Sequence, residues 1–185
     1  MLLQGTAAQS GYALFLANQW PIYDALEKGL TAHRDTPGIA ALADGSVYRA
    51  ASLEADLRAL TGASWRTQLT RLPAADRYAR RIVNAAAGTG ELLIAHAYVR
   101  YLGDLSGGQI LKRLLGRTLQ LTNESLGFYD FPGTADIDAL RLHYRAAINA
   151  AGTSLVDVDA VLNEAAVAFE LSIELSQAVA TAAAG

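Results

Sequence analysis

The residues from His96 to Gln109 gather the side chains in this sequence best suited to chemistry. They include an imidazole, a guanidinium at Arg100, a carboxylate at Asp104 and three glycines, Gly103, Gly107 and Gly108. On a helix, positions 96, 100, 103 and 107 project within one narrow sector, at about 100° per residue. Gly103 and Gly107 then form a strip free of side chains, with Arg100 and His96 further along it. Asp104 borders the strip four residues from Arg100, a spacing that predicts a charge-assisted hydrogen bond between the two. Such a strip lets a backbone approach something flat and bulky, and it equally receives a neighbouring helix. Each glycine costs about 1 kcal/mol relative to Ala inside a helix. A loop or simple kink, with Gly107 as a C-cap, therefore competes with both readings.

The elements around this stretch read as helices. Leu92, His96, Tyr98 and Leu102 before the glycines and Leu111, Leu114 and Leu115 after them predict one long helix over 91–121. A first helix is predicted from Ser10 to Leu30, where Tyr12, Phe15, Leu16, Gln19, Tyr23, Leu26 and Leu30 recur every three or four residues. Pro21 inside it predicts a kink. Ser52 reads as the N-cap of a short helix to Leu60, and another short helix follows near 64–72. Pro73 opens a helix to Ala86, and Gly88-Thr-Gly90 breaks the chain. After a loop through Phe131-Pro132-Gly133, two helices are predicted over 135–150 and 156–183. The last carries the stripe Val158, Val161, Leu162, Ala165, Phe169, Ser172 and Leu175. No sustained alternation of period two supports a strand.

The 185 residues, 52% of them hydrophobic, suffice for one domain with a sizeable core and exclude intrinsic disorder. Ala alone accounts for 37 residues, which favours helix. The absence of Cys excludes disulfides, thiolate metal sites and a Cys nucleophile. A net charge of −3 argues against a nucleic-acid partner. No apolar run approaches the roughly 18–20 residues of a membrane span, and the start carries no secretory signal, so no membrane partner and a cytoplasmic location are expected.

The run AHAYVRYLGDLSGGQILKR resembles the signature of the haem oxygenase family. FLANQWPIYDALE, RYARR after Pro73, FYDFP and LHYRAAIN resemble further family landmarks, in the family's order. The resemblance implies an all-α, single-domain, multihelical fold over 1–185 with a Gly-kinked distal helix, in which haem lies between a proximal and a distal helix. It implies cleavage of haem, both substrate and cofactor, to biliverdin, CO and iron. That reaction uses O₂ and electrons from a reductase or ferredoxin, here in a monomer. Gly103 and Gly107 match the distal glycines against the haem face, with Ser106 between them. Asp104 matches the distal carboxylate, which holds a water near the iron-bound oxygen; Arg100, Tyr23 and Tyr78 match the network around that water. Arg141, Arg145 and Tyr98 match contacts to the propionates, and Phe169 matches an aromatic of the pocket wall, although periodicity alone places it in the core.

The family's proximal histidine lies in a helix reading His-x-x-Ala-Glu, upstream of the landmark that Leu3-Gln-Gly5 resembles. This sequence starts after that point, and the expectation is that the helix is encoded upstream. None of the three histidines replaces it as a metal ligand. His33 sits at a helix end, His96 on the distal side, and His143 points away from Arg141 and Arg145. The alternative function is a protein that binds haem or a bilin without turnover.

Overall fold

A computed structural model describes residues 9–131, 133–134 and 136–184, and among these residues there are helices and turns but no strand. The first helix, α1 (Gln9–Ala32), runs through Pro21 as one element. It buries Tyr12, Leu16, Ile22, Tyr23, Leu26 and Leu30 against α2 (Ala50–Thr61) and α4 (Pro73–Ala85). Between these lies a single turn, α3 (Trp65–Gln68), much shorter than the helix expected over 64–72. Buried Asn18 fixes this connection. Its amide donates to the Leu14 and Thr70 carbonyls and accepts from the Leu72 N–H, so all its bonds are made in the core.

Helix α2 starts at Arg49 as N-cap, not at Ser52. Its first N–H groups are satisfied from another helix: Glu27 Oε1 accepts from the Arg49 and Ala50 amides at 2.5 and 2.8 Å. A cap supplied across the fold leaves no local signature for sequence reading to find. Pro73 does occupy the first turn of α4, where its missing N–H costs nothing.

The break at Gly88-Thr-Gly90 has a steric cause. Gly90 has φ +72, and a Cβ there would lie 2.8 Å from the His33 ring. His33 Nε2 is 2.8 Å from the Ala86 carbonyl, so the ring joins the end of α1 to the turn before the next helix.

The helix expected over 91–121 is three segments: α5 (Leu93–Ala97), a π-helical turn (Tyr98–Leu102) and α6 (Gly103–Thr118). The irregularity therefore precedes the glycines. Gly103 has ordinary helical φ and ψ of −61 and −49, so the kink assigned to glycine is produced by the wider π turn instead. Helix α7 (Ile137–Gly152) and helix α8 (Val158–Ala182) start where Asp136 and Asp157 accept from the Ala139 and Ala160 amides, both at 2.9 Å. Pro132 and Ala135 lie outside the described residues. Helix α8 packs against α1, α4 and α5, which brings its Ser172 to the middle of the bundle.

Candidate functional site: a carboxylate beside a bare helical strip

Three elements meet at Asp104. Helix α1 presents Gln19 and Tyr23, one turn apart on one face; the π turn presents Arg100; α6 presents Asp104 in its first turn. The Tyr23 hydroxyl donates to Asp104 Oδ2 at 2.5 Å. Arg100 Nη2 donates to the same hydroxyl at 2.9 Å and to Gln19 Oε1 at 2.5 Å, while its guanidinium carbon stands 4.9 Å from the Tyr23 ring centroid. From α8, Ser172 Oγ lies 3.4 Å from both Arg100 Nη1 and the Tyr78 hydroxyl, at the long end of hydrogen bonding.

The direct Arg100–Asp104 bond expected from their spacing is not made. Residue 100 lies in a π turn, whose larger pitch angle per bond carries it off the α-helical i, i+4 register. The Tyr23 hydroxyl fills the gap and joins the two. Tyr78 likewise reaches Asp104 only through Ser172, Arg100 and Tyr23.

Burial dominates the electrostatics of Asp104. It raises the carboxyl pKa to about 6, against the opposing pull of Arg100, the Tyr23 hydrogen bond and Arg49. Tyr23 is held well above the ordinary phenol value, chiefly by burial, so it stays a donor. Burial opposes the charge of Arg100, but Tyr23, Tyr78 and Asp104 outweigh it and the guanidinium is held protonated. The result is a carboxylate that changes protonation near neutrality, backed by a fixed donor and a fixed cation. Such a group can hold and pass a proton to a partner on its open side.

That open side is the glycine strip. A Cβ added at Gly103 or Gly107 meets no atom within 4 Å. The strip does not receive a neighbouring helix among the described residues. Exposed Ser106 and Ile110 flank it. Beyond Arg100 stand Tyr98 and Phe169, 43% and 50% exposed, with ring centroids 6.4 Å apart and edge to face. Phe169 is thus an exposed wall residue, not the core residue its periodicity suggests. A groove of 560 Å³ adjoins Tyr98, lined by Ile94, Ile148, Leu155, Leu162 and Ala165.

The other sequence assignments separate. Arg141 pairs with Asp138 at 2.9 Å on the exposed face of α7, and Arg145, one turn on, is exposed without an ion pair among the described residues. His96 is fully buried: its Nε2 meets Glu164 Oε1 at 2.8 Å, and Arg81 closes the same carboxylate from the surface. It is a structural residue. His143 is exposed on α7, and no cluster of three or more metal-ligating side chains occurs among the described residues. The Leu3-Gln-Gly5 landmark lies outside them. Sequence reading placed Gln19 and Ser172 only in apolar stripes; the visible sign was a polar side chain interrupting such a stripe one turn from Tyr23 or Phe169.

Gly107 provides a two-sided test of the strip. Gly107→Ala should raise stability by up to about 1 kcal/mol, because helix propensity improves and nothing is displaced. Gly107→Leu should fold yet prevent a flat ligand from seating. Loss of stability in the Ala variant on thermal melting would show that the strip is filled by protein.

An all-helical bundle with a π-interrupted helix lining an open strip is also the fold of solved proteins similar to this chain. Heme oxygenase-2 from Synechocystis, solved with heme and NO, superimposes with a TM-score of 0.89 at 32% identity, over 98% of this chain and 76% of that one. Heme oxygenase-1 from the same organism, solved with heme, gives 0.85 at 32% identity, over 94% and 79%. The family model for heme oxygenase matches residues 1–178, and the chain belongs to the haem oxygenase family. Among curated relatives it is 35% identical to heme oxygenase 1 of Nostoc over 95% of this chain and 74% of the relative. It is 35% identical to the human heme oxygenase 1 over 93% of this chain but only 61% of the relative, so it spans less than two thirds of that protein.

Proposed function

We propose that this chain is the distal wall and proton-handling part of a haem oxygenase, cleaving haem to biliverdin, CO and iron with O₂ and electrons from a reductase or ferredoxin, as a cytoplasmic monomer. The observation that carries the reading is Asp104 itself: a buried carboxylate fixed by Tyr23 and Arg100 beside a strip where Gly103 and Gly107 face open space. The residues fit a flat macrocycle with two carboxylates. The strip admits a planar face, Tyr98 and Phe169 offer apolar edges, and Arg145 and Arg141 are cations at one margin, with guanidinium forks suited to carboxylates. Haem, as substrate, supplies the iron at which O₂ is reduced. Asp104 holds a proton for that chemistry, Tyr23 keeps its carboxylate oriented, and Arg100 keeps it polarised. The distal side presents no histidine to the strip.

The test is addition of haem to the purified chain, then ascorbate or a reductase under O₂. Biliverdin absorption bands and CO release are the expected result. Haem that binds and persists would support the alternative, a haem- or bilin-binding protein without turnover. The pH profile of biliverdin formation should show an acid limb with its midpoint at about 6, set by Asp104, because below that value the carboxyl is already neutral and no longer takes a proton from Tyr23's side of the network. An Asp104→Asn variant that retains this limb would refute the assignment.

A further inference from the structure

Gln19, Tyr23 and Glu27 follow one another at four-residue intervals on α1 and so share one stripe. Gln19 holds Arg100, Tyr23 holds Asp104, and Glu27 holds the backbone of Arg49. Arg49 is 1% exposed, the bulkiest fully buried side chain in the described core. Its guanidinium makes no ion pair among the described residues. Nε donates to the Val47 carbonyl at 3.0 Å, Nη2 to the Ser46 carbonyl at 3.2 Å, Nη1 to the Asp130 carbonyl, and the group lies 4.1 Å above the Phe131 ring. A buried cation facing only carbonyl dipoles is costly, several kcal/mol by general experience. The fold nevertheless fixes it firmly.

The loop that Arg49 grips is anchored on the helix that carries Asp104. Gln109 of α6 donates to the Tyr129 carbonyl at 2.7 Å and Lys112 of α6 reaches the Asp130 carboxylate at 2.6 Å. Phe128 of the same loop stands edge-on to Tyr23 with centroids 5.6 Å apart, and Asp56 of α2 accepts from the Gly127 and Phe128 amides at 2.9 and 2.8 Å. Arg49, Tyr23 and Asp104 therefore belong to one rigid cluster.

We propose that Arg49 is a positioning residue for the reaction: its fixed buried charge, set by Glu27 and the 127–131 loop, acts with Arg100 to hold the Asp104 carboxylate ionised. The consequence for turnover rests on the function proposed above; the electrostatic effect does not. The charged and titratable groups around Asp104 are Tyr23 from α1, Arg100 from the π turn, Tyr129 from the loop and Arg49 at the start of α2. Arg49 reaches Asp104 through the interior, where attraction persists against salt.

The experiment follows the Asp104 carboxyl carbon by ¹³C NMR against pH in the full chain without added ligand, with Asp104→Asn identifying the resonance. In Arg49→Gln the midpoint should rise by about one pH unit. Arg49→Lys, which keeps the charge but loses the fork, should return most of that shift. Arg49→Met repeats the neutral substitution should the Gln variant fail to fold. An unmoved midpoint in a folded neutral variant overturns the proposal, and so does a Lys variant that titrates like the neutral ones. Because the titration needs neither haem nor turnover, it can fail while haem is cleaved, or succeed while haem is not.

Discussion

Asp104→Ala should reduce ring cleavage by about 10²–10⁴-fold, the range lost when a positioned proton-transfer group is removed. Haem binding should survive, since the side chain borders the glycine strip without filling it. The substitution deletes the acceptor of the Tyr23 hydroxyl but leaves Arg100 bonded to both Tyr23 and Gln19, so the network keeps its cation and loses its base. Reducing equivalents and O₂ consumed without proton control at the distal face should instead drive peroxidase-like oxidation of an added phenol. Biliverdin yield and phenol oxidation measured together check this, and an unchanged biliverdin yield would sink it. Stability should move the other way. The folded pKa of about 6 exceeds the 3.8 of a free Asp, so ionising this carboxyl opposes folding. The wild-type chain therefore gains stability as pH falls through 6, a gain that the Ala variant should lack.

Glu164→Ala should be the most destabilising single change, at about 3–5 kcal/mol, because it breaks a buried ion pair from one side. Glu164 is 2% exposed between fully buried His96 and half-exposed Arg81. Without it the His96 ring has no partner at either nitrogen, since Nδ1 already has none, and α8 loses its polar tie to α5. Burial works against the Glu164 charge, but the hydrogen bonds from His96 and Arg81 prevail and lower its pKa to about 2. The stability it contributes is therefore complete above the ordinary Glu value and lost only as pH falls toward 2. Urea denaturation at pH 7 and again near pH 3 measures both effects. A loss below about 1 kcal/mol at pH 7 would show that the pair only balances its own desolvation.

What was legible in the sequence depended on the range of the interactions involved. The helices of α1, α4, α7 and α8 follow from apolar spacing and from Pro73, features carried within one turn. The glycine strip was visible as a pattern, and only coordinates show that it faces open space and not a helix. The start of α2 was misplaced because its cap, Glu27, comes from another helix. The Arg100–Asp104 bond was expected from α-helical geometry that the π turn does not share. Phe169 was assigned to the core by periodicity that cannot tell a wall from an interior. Arg49 gave no sign: a lone Arg beside a tyrosine usually faces water, and here a loop 81 residues away takes it out of solvent.

The π turn at Tyr98–Leu102 amounts to one surplus residue spliced into an otherwise regular helix, and it works as an angular offset. Removing one residue from that turn would restore α-helical winding and rotate everything before it by about 100° against everything after it. His96 could then no longer meet Glu164 while Asp104 meets Tyr23, because the two contacts lie on opposite sides of the splice. The scaffold contact and the chemical contact are thus phased to each other by a single residue. A one-residue deletion there should be far harder to tolerate than most substitutions within the same five positions.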